Sequence, residues 1–140
     1  MNDAVTGDPT ALLPSREVRV AIVDDSDIIR ERLTRKLREE AGVCVVGEAT
    51  DARAGVALVG REHPDVVILD LRMPEGGGFR LLEGIKDVRP HPTTVVMTNV
   101  PYSAFRRRCL ELGAEHFYDK STEFERIGDV VRALAARHSG

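Results

Sequence analysis

The sequence predicts an α/β fold, one doubly wound, mostly parallel sheet with helices on both faces. Three observations predict it. Short β-rich apolar runs alternate with segments of helical period, nearly every run ends at a polar or charged residue, and 140 residues suffice for one domain but not two. A chain of this length buries roughly two thirds of its unfolded surface in a single core. Parallel neighbours need a crossover, and a helix between the strands supplies it.

The elements follow in order. Residues 1–16 lack a basic start followed by an apolar core and read as a flexible N-terminal tail. Glu17 to Val23 is an apolar run that stops at consecutive acids, as a strand buried on both faces does. Further strands are expected at Val43 to Ala49, Asp65 to Asp70, Thr94 to Met97 and His116 to Asp119. Helical spacing joins Ile29, Leu33 and Leu37, then Phe105, Cys109 and Leu112, and last Phe124, Ile127, Val131 and Leu134. Weaker helices cover Ala52 to Glu62 and Phe79 to Val88. Pro64 and Pro90 close helices, Gly42 and Gly113 suit C-terminal turns, and Thr122 with Glu125 offers a capping box for the last helix. The folded domain is expected over residues 17–138, with no separate output domain after it.

Composition narrows the function. A net charge of −3 gives no general attraction to nucleic acid or anionic membrane, and no apolar run approaches the length that spans a bilayer. Cys44 and Cys109 belong to no metal-binding or redox motif and read as reduced thiols, so a cytoplasmic protein is expected.

The strand ends carry the chemistry. The first strand ends in Asp24-Asp25, the third in Asp70, the fourth in Thr98 and the fifth in Asp119-Lys120, all at the carboxyl edge where such sheets bind ligands. Three carboxylates within about 5 Å repel by roughly 3 kcal/mol per pair at an effective dielectric near 20. A proton, the Lys120 ammonium or a divalent cation relieves that repulsion, and an open oxygen site suits Mg2+. An aspartate beside such a cation can attack a phosphoryl group, so the set fits phosphoryl transfer to Asp70. Singly, each residue also has a structural reading: Asp24, Asp25 and Ser26 as helix caps, Asp70 as a turn residue, Lys120 as a surface charge.

In combination, VDD at Val23 to Asp25, LDLRMP at Leu69 to Pro74 with Gly78 following, MT at Met97-Thr98 and DK at Asp119-Lys120 resemble the response-regulator receiver domain of the chemotaxis-regulator type. The resemblance runs from about Val18 to Arg137. It implies a flavodoxin-like five-stranded sheet of order 2-1-3-4-5 and a phosphorylation-controlled switch of a two-component system rather than a turnover enzyme. It implies Asp70 as phosphoacceptor, with Mg2+ held by Asp24, Asp25, Asp70 and the backbone carbonyl of Arg72. Thr98 becomes the switch hydroxyl, Lys120 the phosphoryl contact, and Phe117 the aromatic that rotates with the threonine. The implied partners are a sensor histidine kinase or histidine phosphotransfer protein, and a downstream protein docking on the fourth helix, fifth strand and fifth helix or receiving the phosphoryl group in a relay.

Several positions depart from the family's pattern. Ser121 replaces the proline after the lysine, which disfavours a cis bond there by ~3 kcal/mol. Asn99 replaces a smaller residue, and Arg72 and Val100 occupy positions that tune acyl-phosphate lifetime. Arg106 to Arg108 lie near Tyr102 and Phe105 on the fourth helix, as a solvated face or a docking surface. Gly76 to Gly78 lack the lysine and Ser/Thr of a phosphate-cradling loop and read as a mobile turn into the third helix. Two rivals remain open. Asp25 and Asp27 resemble the DxD of haloacid-dehalogenase-type phosphatases, although the chain is short for that family and lacks its late acidic pair, and a receiver-like module could act without phosphorylation.

Overall fold

A computed structural model describes residues 16–139. Residues 1–15 of the expected tail lie outside the described residues, while Arg16 ion-pairs with Asp65. The strands are β1 (Val18–Val23), β2 (Val43–Ala49), β3 (Val66–Asp70), β4 (Thr93–Thr98) and β5 (His116–Asp119). The helices are α1 (Asp27–Arg38), α2 (Ala52–Glu62), α3 (Gly77–Ile85), α4 (Ser103–Glu111) and α5 (Arg126–Ser139). All strand pairs are parallel, in the order β2-β1-β3-β4-β5, the doubly wound arrangement expected from the alternation.

Period-two alternation divides the interior into two cores. Val18, Val20 and Ile22 of β1, Val66 and Ile68 of β3, and Val95 and Met97 of β4 pack with Leu33 and Leu37 of α1 and Ile127 and Val131 of α5. The intervening residues Ala21, Val23, Val67, Leu69 and Val96 pack on the other face with α2, α3 and α4, through Leu58, Leu81, Leu82, Ile85 and Cys109. Phe117 enters this second core and Tyr118 the first, so neighbours on β5 face opposite ways.

Caps explain the helix boundaries. Ser26 Oγ accepts the Ile29 N–H at 3.2 Å and Asp51 Oδ1 accepts the Ala54 N–H at 2.8 Å, each satisfying an orphan donor of a first turn. Gly42 and Gly113 take φ of 77° and 98°, the left-handed turns expected of them.

Three expectations need correction. α3 begins at Gly77, two residues earlier than expected, and ends at Ile85 rather than Val88, preceded by a 3-10 turn at Pro74–Gly76. Gly77 and Gly78 are therefore buried helical residues, not a mobile turn. A Cβ on Gly78 would lie 2.5 Å from Leu71 Cα and 2.9 Å from the Asp70 carbonyl oxygen, so only glycine lets α3 start against the end of β3. The Thr122/Glu125 capping box is also replaced. α5 begins at Arg126, the Glu123 N–H bonds the Asp119 carbonyl at 2.7 Å, and Glu125 pairs instead with Lys36 on α1. Phe124 precedes the helix yet still packs on the α1/α5 core, beneath the Arg32 guanidinium.

Two alanine substitutions separate tight from open glycines. Gly78→Ala should lose roughly 2 kcal/mol or more in denaturant unfolding, because backbone must move. Gly60→Ala, in α2 with nothing within 4 Å of the added methyl, should gain up to about 1 kcal/mol.

Candidate functional site

Parallel register brings the strand-end residues together. Val23 is level with Leu69 across β1 and β3, so the residues that follow, Asp24 and Asp70, emerge side by side. Thr98 is level with Asp119, so Lys120 emerges beside both. Oxygens of Asp24, Asp25 and Asp70 lie within 4.8 Å of one another. Asp24, Asp70, Thr98 and Lys120 are buried, and Asp25 is exposed.

Each buried group is held. Lys120 Nζ stands 2.8 Å from Asp24 Oδ2 and 3.3 Å from Asp70 Oδ1. Asp24 Oδ1 accepts the Ser26 N–H at 2.9 Å, and Asp70 Oδ1 accepts the Arg72 N–H at 3.2 Å. Thr98 Oγ accepts the Val100 N–H at 3.0 Å, leaving its own proton to donate, while its carbonyl accepts the Lys120 N–H at 2.9 Å. Burial pushes the Asp70 carboxyl above the usual carboxylate range; Lys120 pulls it down and the Asp24 charge pushes it up. In the second core, burial alone pushes the Cys109 thiol up to about 11, the behaviour of an inert thiol.

The flanking residues sort unequally. Arg72 lines a surface cavity with Met73, Phe79, Val100, Tyr102 and Phe105, and forms no ion pair with Glu75 among the described residues. Asn99 is exposed and Val100 half-buried. Phe117 packs beneath Thr98's strand in the second core. Asp27 is not brought to the carboxylate group; its side chain is 91% exposed and pairs with Arg30. The three arginines of α4 are exposed, Arg108 lying 3.7 Å from Glu83.

One residue escaped the sequence reading. Arg30 donates to the Asp24 carbonyl at 2.6 Å and to Glu48 at 3.0 Å, tying the loop after β1 to the end of β2. Its only sequence signal is the i, i+3 spacing from Asp27, which suggests a surface pair.

The donor set suits a hard divalent cation. Both Asp25 oxygens and the Arg72 carbonyl accept no hydrogen bond among the described residues, so oxygen ligands are free beside buried negative charge. Asp24 and Asp70 would then share their charge between that cation and Lys120.

Residues 20–132 match the response regulator receiver domain family. The chain is 34% identical over 122 residues to protein-glutamate methylesterase/protein-glutamine glutaminase 2 of Anaeromyxobacter dehalogenans, an alignment covering 87% of this chain and 36% of that protein. The chain thus spans about a third of that relative's length. Among solved structures, the response regulator domain of Thermotoga maritima CheB superposes with a TM-score of 0.74 at 25% identity, covering 89% of this chain and 97% of that one. CheY in the CheX-CheY-BeF3-Mg2+ complex of Borrelia burgdorferi gives 0.72 at 25% identity, covering 82% and 90%.

The charge balance has two measurable consequences. Mg2+ at ten times its dissociation constant should add about 1.4 kcal/mol to stability, and Asp25→Asn should remove most of that gain in thermal melts. The raised Asp70 carboxyl means that the folded state holds its proton more tightly than the unfolded chain. Metal-free stability therefore falls as pH rises above the unfolded carboxyl's range. Asp70→Asn removes that titration, so at neutral pH the metal-free variant should melt above wild type.

Proposed function

The chain belongs to the response regulator receiver domain family, and from that membership we propose that Asp70 is its phosphoacceptor. Receiver domains carry phosphorylation-controlled signalling, bind Mg2+ at an acidic pocket, and interact with kinases, phosphotransfer proteins or downstream targets. Within this chain the receiver unit is assigned to residues 17–138.

One observation carries the reading. A buried carboxylate lies 3.3 Å from a buried ammonium, with two further acids and a buried threonine hydroxyl at the same sheet edge. Asp70 Oδ1 is engaged by the Arg72 N–H and Lys120, so Oδ2 is the oxygen placed to attack. Attack forms an O–P bond as the bond from phosphorus to the donor's imidazole nitrogen breaks, and that nitrogen takes the leaving electron pair. Lys120 follows the transferred charge, and the Thr98 proton is free to donate to a phosphoryl oxygen. Bound at Asp24, Asp25, Asp70 and the Arg72 carbonyl, Mg2+ supplies charge neutralisation for the phosphoryl oxygens. Arg72, Asn99 and Val100 border the site and are assigned to tuning acyl-phosphate lifetime.

The donor is assigned as the phosphohistidine of a sensor kinase or phosphotransfer protein. The downstream surface is assigned to α4, β5 and α5, supported by Tyr102 and Leu110, which expose 61% and 43% of their surface beside the α4 arginines. Phe117, directly before Tyr118 on β5, would carry the Thr98 shift to that face. No helix among the described residues is long and apolar enough to cross a membrane, and a cytoplasmic site of action is assigned on chemical grounds. The methylesterase activity in the relative's name is not assigned here, because the alignment covers 36% of that protein. The phosphatase reading loses its support, since Asp27 stands outside the carboxylate group.

With a small acyl phosphate and Mg2+, the wild type should gain one phosphoryl group and Asp70→Asn none, by intact-protein mass spectrometry. Lys120→Ala should slow labelling about 100-fold. Labelling that persists in Asp70→Asn overturns the assignment.

A further inference from the structure

The loop after β5 contains a hydrogen-bonded turn that neither the strand nor the helix pattern requires. Asp119 Oδ1 accepts both the Ser121 N–H at 2.8 Å and the Ser121 hydroxyl at 2.6 Å. The Asp119 N–H in turn bonds Glu123 Oε1 at 3.1 Å, while the Glu123 N–H returns to the Asp119 carbonyl at 2.7 Å. Lys120 sits inside this closed set, its own N–H fixed to the Thr98 carbonyl at 2.9 Å. These donors, the Ser121 hydroxyl first, lower the Asp119 carboxyl below the usual range, so the turn favours its ionised form.

The location gives the turn its meaning. Ser121 stands where the pattern of the family this sequence resembles has proline, whose ring would fix φ without hydrogen bonds. A serine leaves the backbone after Lys120 free unless something else holds it. Lys120 must nevertheless carry its ammonium through a buried path to within 2.8 Å of Asp24 and 3.3 Å of Asp70. A long flexible side chain reaches such a point reproducibly only if its Cα is fixed.

We propose that Asp119 is a positioning residue: its carboxylate gathers Ser121 into a rigid turn that aims Lys120 at the phosphoryl position. Asp119 touches no reacting atom and acts through Lys120. This assignment rests on the phosphoacceptor reading and deepens it.

The test separates Lys120's placement from the cation site, which Asp119 does not touch. Beryllofluoride, a phosphoryl mimic, is titrated at saturating Mg2+ and followed by 19F NMR, with Mg2+ affinity measured separately by calorimetry. Asp119→Ala should weaken beryllofluoride binding and slow acyl-phosphate labelling about tenfold, with Mg2+ affinity within about twofold of wild type. Asp119→Asn, which keeps an acceptor oxygen without the charge, should stay near wild type. Should Asp119→Ala fail to fold, Ser121→Ala strips the hydroxyl donor and must show the same selective loss. Unchanged beryllofluoride binding, an equal loss of Mg2+ affinity, or an Asn variant as impaired as the Ala variant each overturns the positioning role. A wild type that binds no beryllofluoride overturns the phosphoacceptor reading itself.

Discussion

Lys120 makes this sheet edge tenable. Two nearly buried carboxylates stand beside a third, and the ammonium between Asp24 and Asp70 is the only cation in direct contact with either carboxylate among the described residues. Removing the ammonium leaves two buried carboxylates uncompensated, at a cost of several kcal/mol. The same pairing opposes the upward push that burial gives the Asp70 carboxyl, and so favours its ionised form. A parallel sheet suits this purpose because all its strands end at one edge, and the register staggers their last residues by no more than one residue between neighbours.

Much of this was legible in the sequence, for identifiable reasons. β2 and β5 are read to the residue, and the other strands to within one residue at each end, because buried strands show as apolar runs that stop at polar residues. The gathering of Asp24, Asp70, Thr98 and Lys120 follows from those strand ends. What stayed hidden depends on close approach or on side-chain hydrogen bonds across a loop. Gly77 and Gly78 are poor helix formers and read as a turn, yet the contact of Gly78 with Leu71 requires a glycine at the helix start. Thr122 and Glu125 have capping-box spacing, but the helix begins only at Arg126 and Glu125 is drawn to Lys36 on α1. Arg30 resembles a surface residue until Glu48, 18 residues away in sequence, is brought beside it.

The family resemblance and the local physics contribute different things. Family membership supplies the chemistry of the edge, whereas the departures at Ser121 and Gly76 to Gly77 are answered by this chain's own contacts. A carboxylate-centred turn follows β5 where the family's pattern has proline, and a 3-10 turn with a left-handed Gly76 precedes α3.

The split between the two cores bears on how such a domain diversifies. Strand residues alternate between the faces, so each core can be repacked with little consequence for the other, while Asp24, Asp70, Thr98 and Lys120 of the polar edge are themselves buried. Exposed side chains of α4 make few contacts inward, and substitutions at such places usually alter stability by less than about 0.5 kcal/mol. Recognition surfaces on this architecture can therefore drift quickly between lineages while the buried chemistry stays insulated, which lets one scaffold serve many separate signalling lines.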